Sequence, residues 1–236
     1  MTLTILKIRC LLPCAVALLV AACAPLTAPP QTEYAVGRAR LVMPPGAWED
    51  LGSLDGAVGP AALQARTMGL RGAQGQWLAV LRVQTNRTGN LSGSAPWTNH
   101  CPPQRDVTVE DAAAGSPLRV DCLRFKRWAG SDQWLEKNEP EIAGWLAARE
   151  IAFGQPYSHL SFRYAVDNGA LVVVDAVVDH RLLHPRTHNN AEFLAAGRPA
   201  LQWAHELAQA ARLSVGMLDG YLAVPPFPFP APPATP

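Results

Sequence analysis

Between His159 and His180 the sequence can do little except fold back on itself as two paired strands. Leu160, Phe162, Tyr164 and Val166 alternate with Ser161, Arg163 and Ala165. That period of two places one set on each side of a sheet. Asp167-Asn168-Gly169 follows and supplies residues that tolerate the left-handed backbone of a tight hairpin turn. From Ala170 to Val178 the chain returns as an almost unbroken apolar run. A strand with no polar face is covered on both sides, which predicts a central position in the sheet.

The remaining elements are read around this hairpin. Arg38–Met43 is expected as a first strand, stopped by Pro44-Pro45-Gly46. Residues 50–75 are glycine-rich and read as loops around one short strand near Leu63–Met68. Trp77–Val83 is a further strand, rich in aromatic and branched residues. Residues 84–105 read as a long loop containing two Asn-x-Thr/Ser sequons, at Asn86 and Asn90, both taken as chance matches. In Leu118–Phe125 alternation sets Leu118, Val120 and Cys122 opposite Arg119 and Asp121, so Cys122 faces inward. Asn138–Glu150 reads as a middle helix capped by Asn138, with Pro140 in its first turn. Pro199 opens a long C-terminal helix in which Leu201, Ala204, Ala208, Ala211 and Val215 form one apolar face, and Gly216 can end it. With 49% hydrophobic residues the chain can build a core around these elements. The expected fold class is α+β: an antiparallel sheet with a middle helix and a long C-terminal helix packed on it.

The first residues follow a different logic. Lys7 and Arg9 precede an apolar run from Cys10 to Ala22, broken only by Pro13. The run is too short for a bilayer-spanning helix, which needs about 20 residues. A positive start, a short apolar stretch and small residues before a processing point describe a secretory signal peptide. The run ends in Val20-Ala21-Ala22-Cys23, which resembles the lipobox of bacterial lipoproteins. The resemblance implies cleavage before Cys23, diacylglycerol on its sulfur and an acylated amino terminus. Ala24 stands where, in enteric bacteria, an aspartate would retain such a protein in the inner membrane. By that analogy the chain is held in the outer membrane, facing the periplasm. Two or more acyl chains give durable attachment, at about 0.8 kcal/mol per buried methylene.

On this reading Cys10 and Cys14 leave with the signal peptide and Cys23 is lipidated. Cys101 and Cys122 remain, and an oxidising compartment pairs them as a disulfide. The alternative is a thiol nucleophile at Cys101 assisted by His100. The expected organisation is a signal peptide over 1–22, a lipidated cysteine and proline-rich tether over 23–34, one α+β domain over 35–222, and a proline-rich disordered tail over 223–236. The tail holds seven prolines within residues 225–236. The Pro44–Trp48 turn (PPGAW) and the order of early strands, late hairpin and final helix resemble the PsbP-like α/β/α sandwich. That likeness implies a binding or assembly role and no catalytic residues.

Charge and motifs narrow the function. A formal net charge of +1 supplies no basic stripe for nucleic acid. There is no phosphate-binding loop, no GxSxG elbow and no CxxC pair, and no cofactor is implied. His180, His184 and His188 are spaced by four and could meet one metal on a helix, although Pro185 disfavours helix at His184. His205 reads as a packed helix residue. Trp128, Trp134 and Trp145 lie close in sequence beside Lys126, Arg127 and Lys137 and form a candidate binding surface. Two readings follow. One is a membrane-anchored envelope lipoprotein that binds or assembles with an envelope partner. The other is a metal-binding or metal-dependent hydrolytic lipoprotein using the three histidines.

Overall fold

A computed structural model describes residues 33–58, 61–88, 97, 99–167, 169–195, 197–215 and 220–229. The expected signal peptide, the lipobox and Asn90 lie outside these residues. Ten strands and five helices are described: β1 Glu33–Val36, β2 Ala39–Val42, β3 Ala47–Val58, β4 Ala61–Arg71, β5 Trp77–Thr88, β6 Thr108–Asp111, β7 Val120–Ala129, α1 Asp132–Asn138, α2 Pro140–Ala147, β8 Tyr157–Ala165, β9 Leu171–Asp179, α3 His180–Leu183, α4 Asn190–Ala195, α5 Pro199–Val215 and β10 Tyr221–Ala223. The main sheet has seven strands in the order β3-β4-β5-β9-β8-β7-β6. All its neighbours run antiparallel. The fold class is the expected one, with the C-terminal helix packed on an antiparallel sheet.

The predicted hairpin forms as β8 and β9, with Leu160 opposite Ala176 and Phe162 opposite Val174. Gly169, at φ 82°, takes the left-handed position of its turn. β9 pairs with β5 on its other edge, so the unbroken apolar strand is indeed central. Its even-numbered residues Val172, Val174, Ala176 and Val178 join Leu160, Phe162, Leu123, Phe125, Leu81 and Val83 in the larger core. The apolar stripe of α5 closes that core through Trp203, Ala204, Leu207, Ala208 and Ala211. A three-stranded sheet in the order β1-β2-β10 contributes Val36, Leu41 and Leu222 to the same layer. The opposite face of the main sheet is covered by α1 and α2, through Leu135, Ile142 and Leu146 against Val80, Val177 and Tyr157.

Several expectations are corrected. Residues 50–75 are not loops around one short strand, because β3 and β4 form a long hairpin there. β3 is an edge strand whose residues 47–57 are exposed on both faces apart from the half-buried Trp48 and Leu51. Such a strand has no inward face to write into its sequence, so Gly, Asp and Ser populate it freely. Gly69 of β4 serves a close approach, since a Cβ there would lie 2.4 Å from the Trp77 ring. β5 runs on to Thr88, so the expected loop over 84–105 starts too early. Asn86 is wholly buried and holds the β8–β9 turn, donating to the Gly169 carbonyl at 2.8 Å and accepting from the Leu171 amide at 3.1 Å.

The middle helix is two short helices, and its cap differs. Asn138 ends α1, where its amide donates to the Trp134 carbonyl, while Glu139 stands before Pro140 at the start of α2. β1 begins at Glu33, inside the expected tether, because it pairs with β2. Residues 223–229 of the expected tail pack on the fold. Tyr221–Ala223 pairs in parallel with β2, and Phe227 lies between Trp203 and Trp48 at centroid distances of 5.2 and 6.3 Å. Trp203 Nε1 donates to the Pro225 carbonyl at 3.1 Å, and the Phe229 amide donates to Leu182 at 3.1 Å. Pro225, Pro226 and Pro228 are thus part of a strap that packs on α5 through Phe227 and is tied by the Val224 and Phe229 amides to the Val42 and Leu182 carbonyls.

Candidate functional site

The site starts from an irregularity in β7. Its register against β8 shifts between Lys126 and Ala129, which pair with His159 and Tyr157. Arg127 and Trp128 therefore face one residue, Ser158, across the ladder. Such a bulge re-aims side chains away from the regular alternation. Both Arg127 and Trp128 emerge at the surface, and Trp128 is 53% exposed. The Arg127 carbonyl freed by the bulge accepts the Ser158 hydroxyl at 2.7 Å.

At the end of the neighbouring central strand the chain turns into α3, which brings two histidines to the indole. Asp179 is buried and caps α3, accepting from the Arg181 amide at 2.9 Å. The Arg181 guanidinium grips the same carboxylate at 2.9 and 2.7 Å. His180 and His184 place their rings 5.5 and 5.8 Å from Trp128. His180 Nδ1 lies 3.0 Å from the Pro156 carbonyl and therefore donates to it. His184 Nε2 lies 3.3 Å from the Arg127 carbonyl and 3.4 Å from Ser158 Oγ. Burial, then the nearby Arg127 and His180 charges, push the His184 pKa down to about 4, against the partial support of that carbonyl. The imidazole is therefore neutral at pH 7. Ser158 is 1% exposed and its proton is already donated, so the Ser158–His184 contact is structural packing and has no access for a substrate.

The expected three-histidine cluster does not assemble. His184 is the residue after α3 and has extended backbone, with φ −122° and ψ 134°. Pro185 imposes that conformation on its predecessor. The spacing of four therefore ceases to be a helical spacing, and His188 continues into an exposed loop where its amide donates to Glu192. Among the described residues no group of three or more His, Cys, Asp or Glu side chains is placed to hold a metal ion.

Two hollows flank this assembly. A cleft of about 540 Å³ is lined by Arg127, Trp128, His180, Arg181, His184 and Arg186 among others. A smaller hollow of about 180 Å³ shares Arg127 and His184 and continues to Arg198 at the start of α5. Neither is lined by a carboxylate. Trp134 of α1 and Trp145 of α2, expected to share a surface with Trp128, are half-buried and packed against the smaller core. Trp134 packs on His159 and Trp145 lies under Arg149. Only Trp128 of the three projects as an exposed ring.

The opposite sheet face carries a second polar assembly, which the sequence reading missed. Arg82, Asp175, Ser161 and Arg124 are register partners across four strands. Glu141 meets Arg82 at 2.7 Å, and Glu139 meets Arg124 at 3.0 Å. Gln104 bridges Arg124 and Asn138. Burial raises the Glu139 and Asp175 pKa values, with each arginine opposing it. The row docks the α1–α2 pair onto the sheet. Its available signal was Asp175, the one charge inside the apolar run of β9.

Cys101 and Cys122 are joined in a disulfide, which pins the segment before β6 to β7 and removes the thiol-nucleophile alternative at Cys101. His205 on α5 meets the Glu110 carboxylate of β6 at 3.0 Å. No family model, curated protein or solved structure matches the chain.

Proposed function

We propose that this protein is a non-enzymatic binding module of a bacterial envelope, anchored in the outer membrane by lipid on Cys23, with the Trp128 cleft as its binding face. The anchoring rests on Val20-Ala21-Ala22-Cys23 and on Ala24 after it. The Cys101–Cys122 disulfide fits a compartment that keeps thiols oxidised. The observation that carries the binding role is the exposed Trp128 ring, held out of the core by a bulge and braced by two histidines. A large aromatic fixed at the surface beside a concavity is the usual anchor of a binding site.

Two experiments test the halves separately. A Cys23→Ser chain is expected to lose acyl label and move from the membrane to the soluble envelope fraction. If it stays in the membrane fraction, the lipid anchor is wrong. A pull-down from envelope membranes is expected to lose its retained component when Trp128→Ala replaces the wild-type chain. An unchanged set of retained components would reject the cleft as the binding face.

A further inference from the structure

We infer that the Trp128 cleft takes an anionic ligand bearing a ring with a stackable face, aromatic or saccharide, with the ring on the indole and its oxyanion group against the surrounding arginines. The inference rests on the cleft being the binding face and adds the chemical class of what it binds.

Three observations point the same way. First, the Trp128 cleft is lined by Arg127, Arg181 and Arg186 and by no carboxylate, and the separate smaller hollow that shares Arg127 and His184 in its wall adds Arg198 and again no carboxylate. In a chain with 20 basic and 19 acidic side chains, such local segregation is a departure from the average. Secondly, the cations are not all committed inside the fold. Arg181 is held by Asp179. Arg186 and Arg198 are exposed and meet no carboxylate among the described residues. Elsewhere Arg66, Arg71, Arg82, Arg119, Arg124 and Arg212 each meet a carboxylate within 3.0 Å, while Arg40 and Arg149 lie over aromatic rings instead. Guanidinium groups recognise phosphate and carboxylate through paired N–H donors. The first residues of the 17-residue α5, Pro199 to Leu201, line the smaller hollow and add the positive end of the helix dipole there.

Thirdly, the cleft has a rigid stacking platform as well as charge. Trp128 is fixed from beneath by His180 and His184, and each imidazole is itself tied to a backbone carbonyl. A free anion would need only the arginines, whereas an apolar partner would not need them. A ring carrying an oxyanion uses both.

The test uses the full-length protein and calorimetric titration with glucose 6-phosphate and AMP, which share a ring and a phosphate but differ in the ring. Glucose, adenosine and inorganic phosphate are the single-component controls. The expected result is that at least one phosphorylated ring binds about tenfold more tightly than either of its components, as a contact worth about 1.4 kcal/mol would give. Trp128→Ala and the Arg186→Ala/Arg198→Ala pair are each expected to weaken it about tenfold, and added salt to weaken it further. All three positions are exposed, and unchanged thermal melting checks that the variants fold. A preference for AMP over glucose 6-phosphate identifies an aromatic ring, and the reverse a saccharide. Equal binding of adenosine or glucose, lost in Trp128→Ala, would overturn the anionic class while leaving the cleft as binding face. Binding of the phosphates that ignores all three substitutions would overturn both. No binding by any phosphorylated probe overturns the inference, and the pull-down with Trp128→Ala then decides the cleft independently.

Discussion

His159 shows how a single buried side chain sets a pH limit. It is 2% exposed, packs on Trp134, and its Nε2 has no hydrogen-bond partner among the described residues. Burial and the Arg124 charge push its pKa down to about 3. The folded chain therefore holds this imidazole neutral while the unfolded chain protonates it near 6.5. Its contribution to stability is present above pH 6.5 and is lost as pH falls toward 3, at about 1.4 kcal/mol per pH unit. Denaturant unfolding of wild type and His159→Leu across pH 4–7 is expected to show a shallower acid decline in the variant, and parallel curves would reject this account. Phe227 makes a different point. It is half-buried between two tryptophans, so Phe227→Ala is expected to cost about 2 kcal/mol, roughly half the cost at a fully buried site. An urea midpoint equal to that of wild type would mean the strap contributes no stability.

Elements in this fold are held by asymmetric pairs. Glu139 and Arg124 are both nearly buried, at 13% and 11% exposure of their side chains. The raised Glu139 pKa says that burial outweighs the attraction of Arg124. Glu139→Gln removes the charge but keeps an acceptor for the Arg124 guanidinium, which Gln104 also holds, and is therefore expected to cost less than removing Arg124. Arg124→Met leaves the carboxylate buried without its cation and is expected to cost about 3 kcal/mol. The ordering of the two midpoints is the measurement, and equal losses would refute the argument. The bulge in β7 belongs to the same scale. It places Arg127 and Trp128 at the surface, yet no residue within it marks it, because its cause is the pairing with β8. Alternation in Leu118–Phe125 was legible and correctly turned Cys122 inward, but it stopped being a guide where the register shifts.

Across the whole molecule, covalent and non-covalent ties act on the same edge. The Cys101–Cys122 link joins residues 21 apart and pins the segment before β6. The chain-entropy relation gives about 3 kcal/mol for such a loop. Cys101→Ser/Cys122→Ser is expected to lower the unfolding free energy by about that amount, measured by urea titration, with His205–Glu110 still holding β6 to α5. Loss of under about 1 kcal/mol would mean that the edge is fixed without the bridge.

What the sequence determined by itself was whatever depends on local periodicity and local chemistry. The β8–β9 hairpin, the central place of β9, the apolar stripe of α5 and the inward Cys122 all follow from spacing, since one buried face repeats every two or every 3.6 residues. Tertiary structure alone decided what depends on neighbours far along the chain. The β3 edge strand has no buried face to advertise it. Pro225, Pro226 and Pro228 became part of a strap because Phe227 packs between Trp48 and Trp203. The spacing of the three histidines suggested one site, and Pro185 with the β7 bulge made another of it: two imidazoles bracing an indole brought from β7, more than 50 residues away. A site assembled from distant segments leaves its chemistry in the sequence but not its geometry, because geometry is set by the packing that brings the segments together.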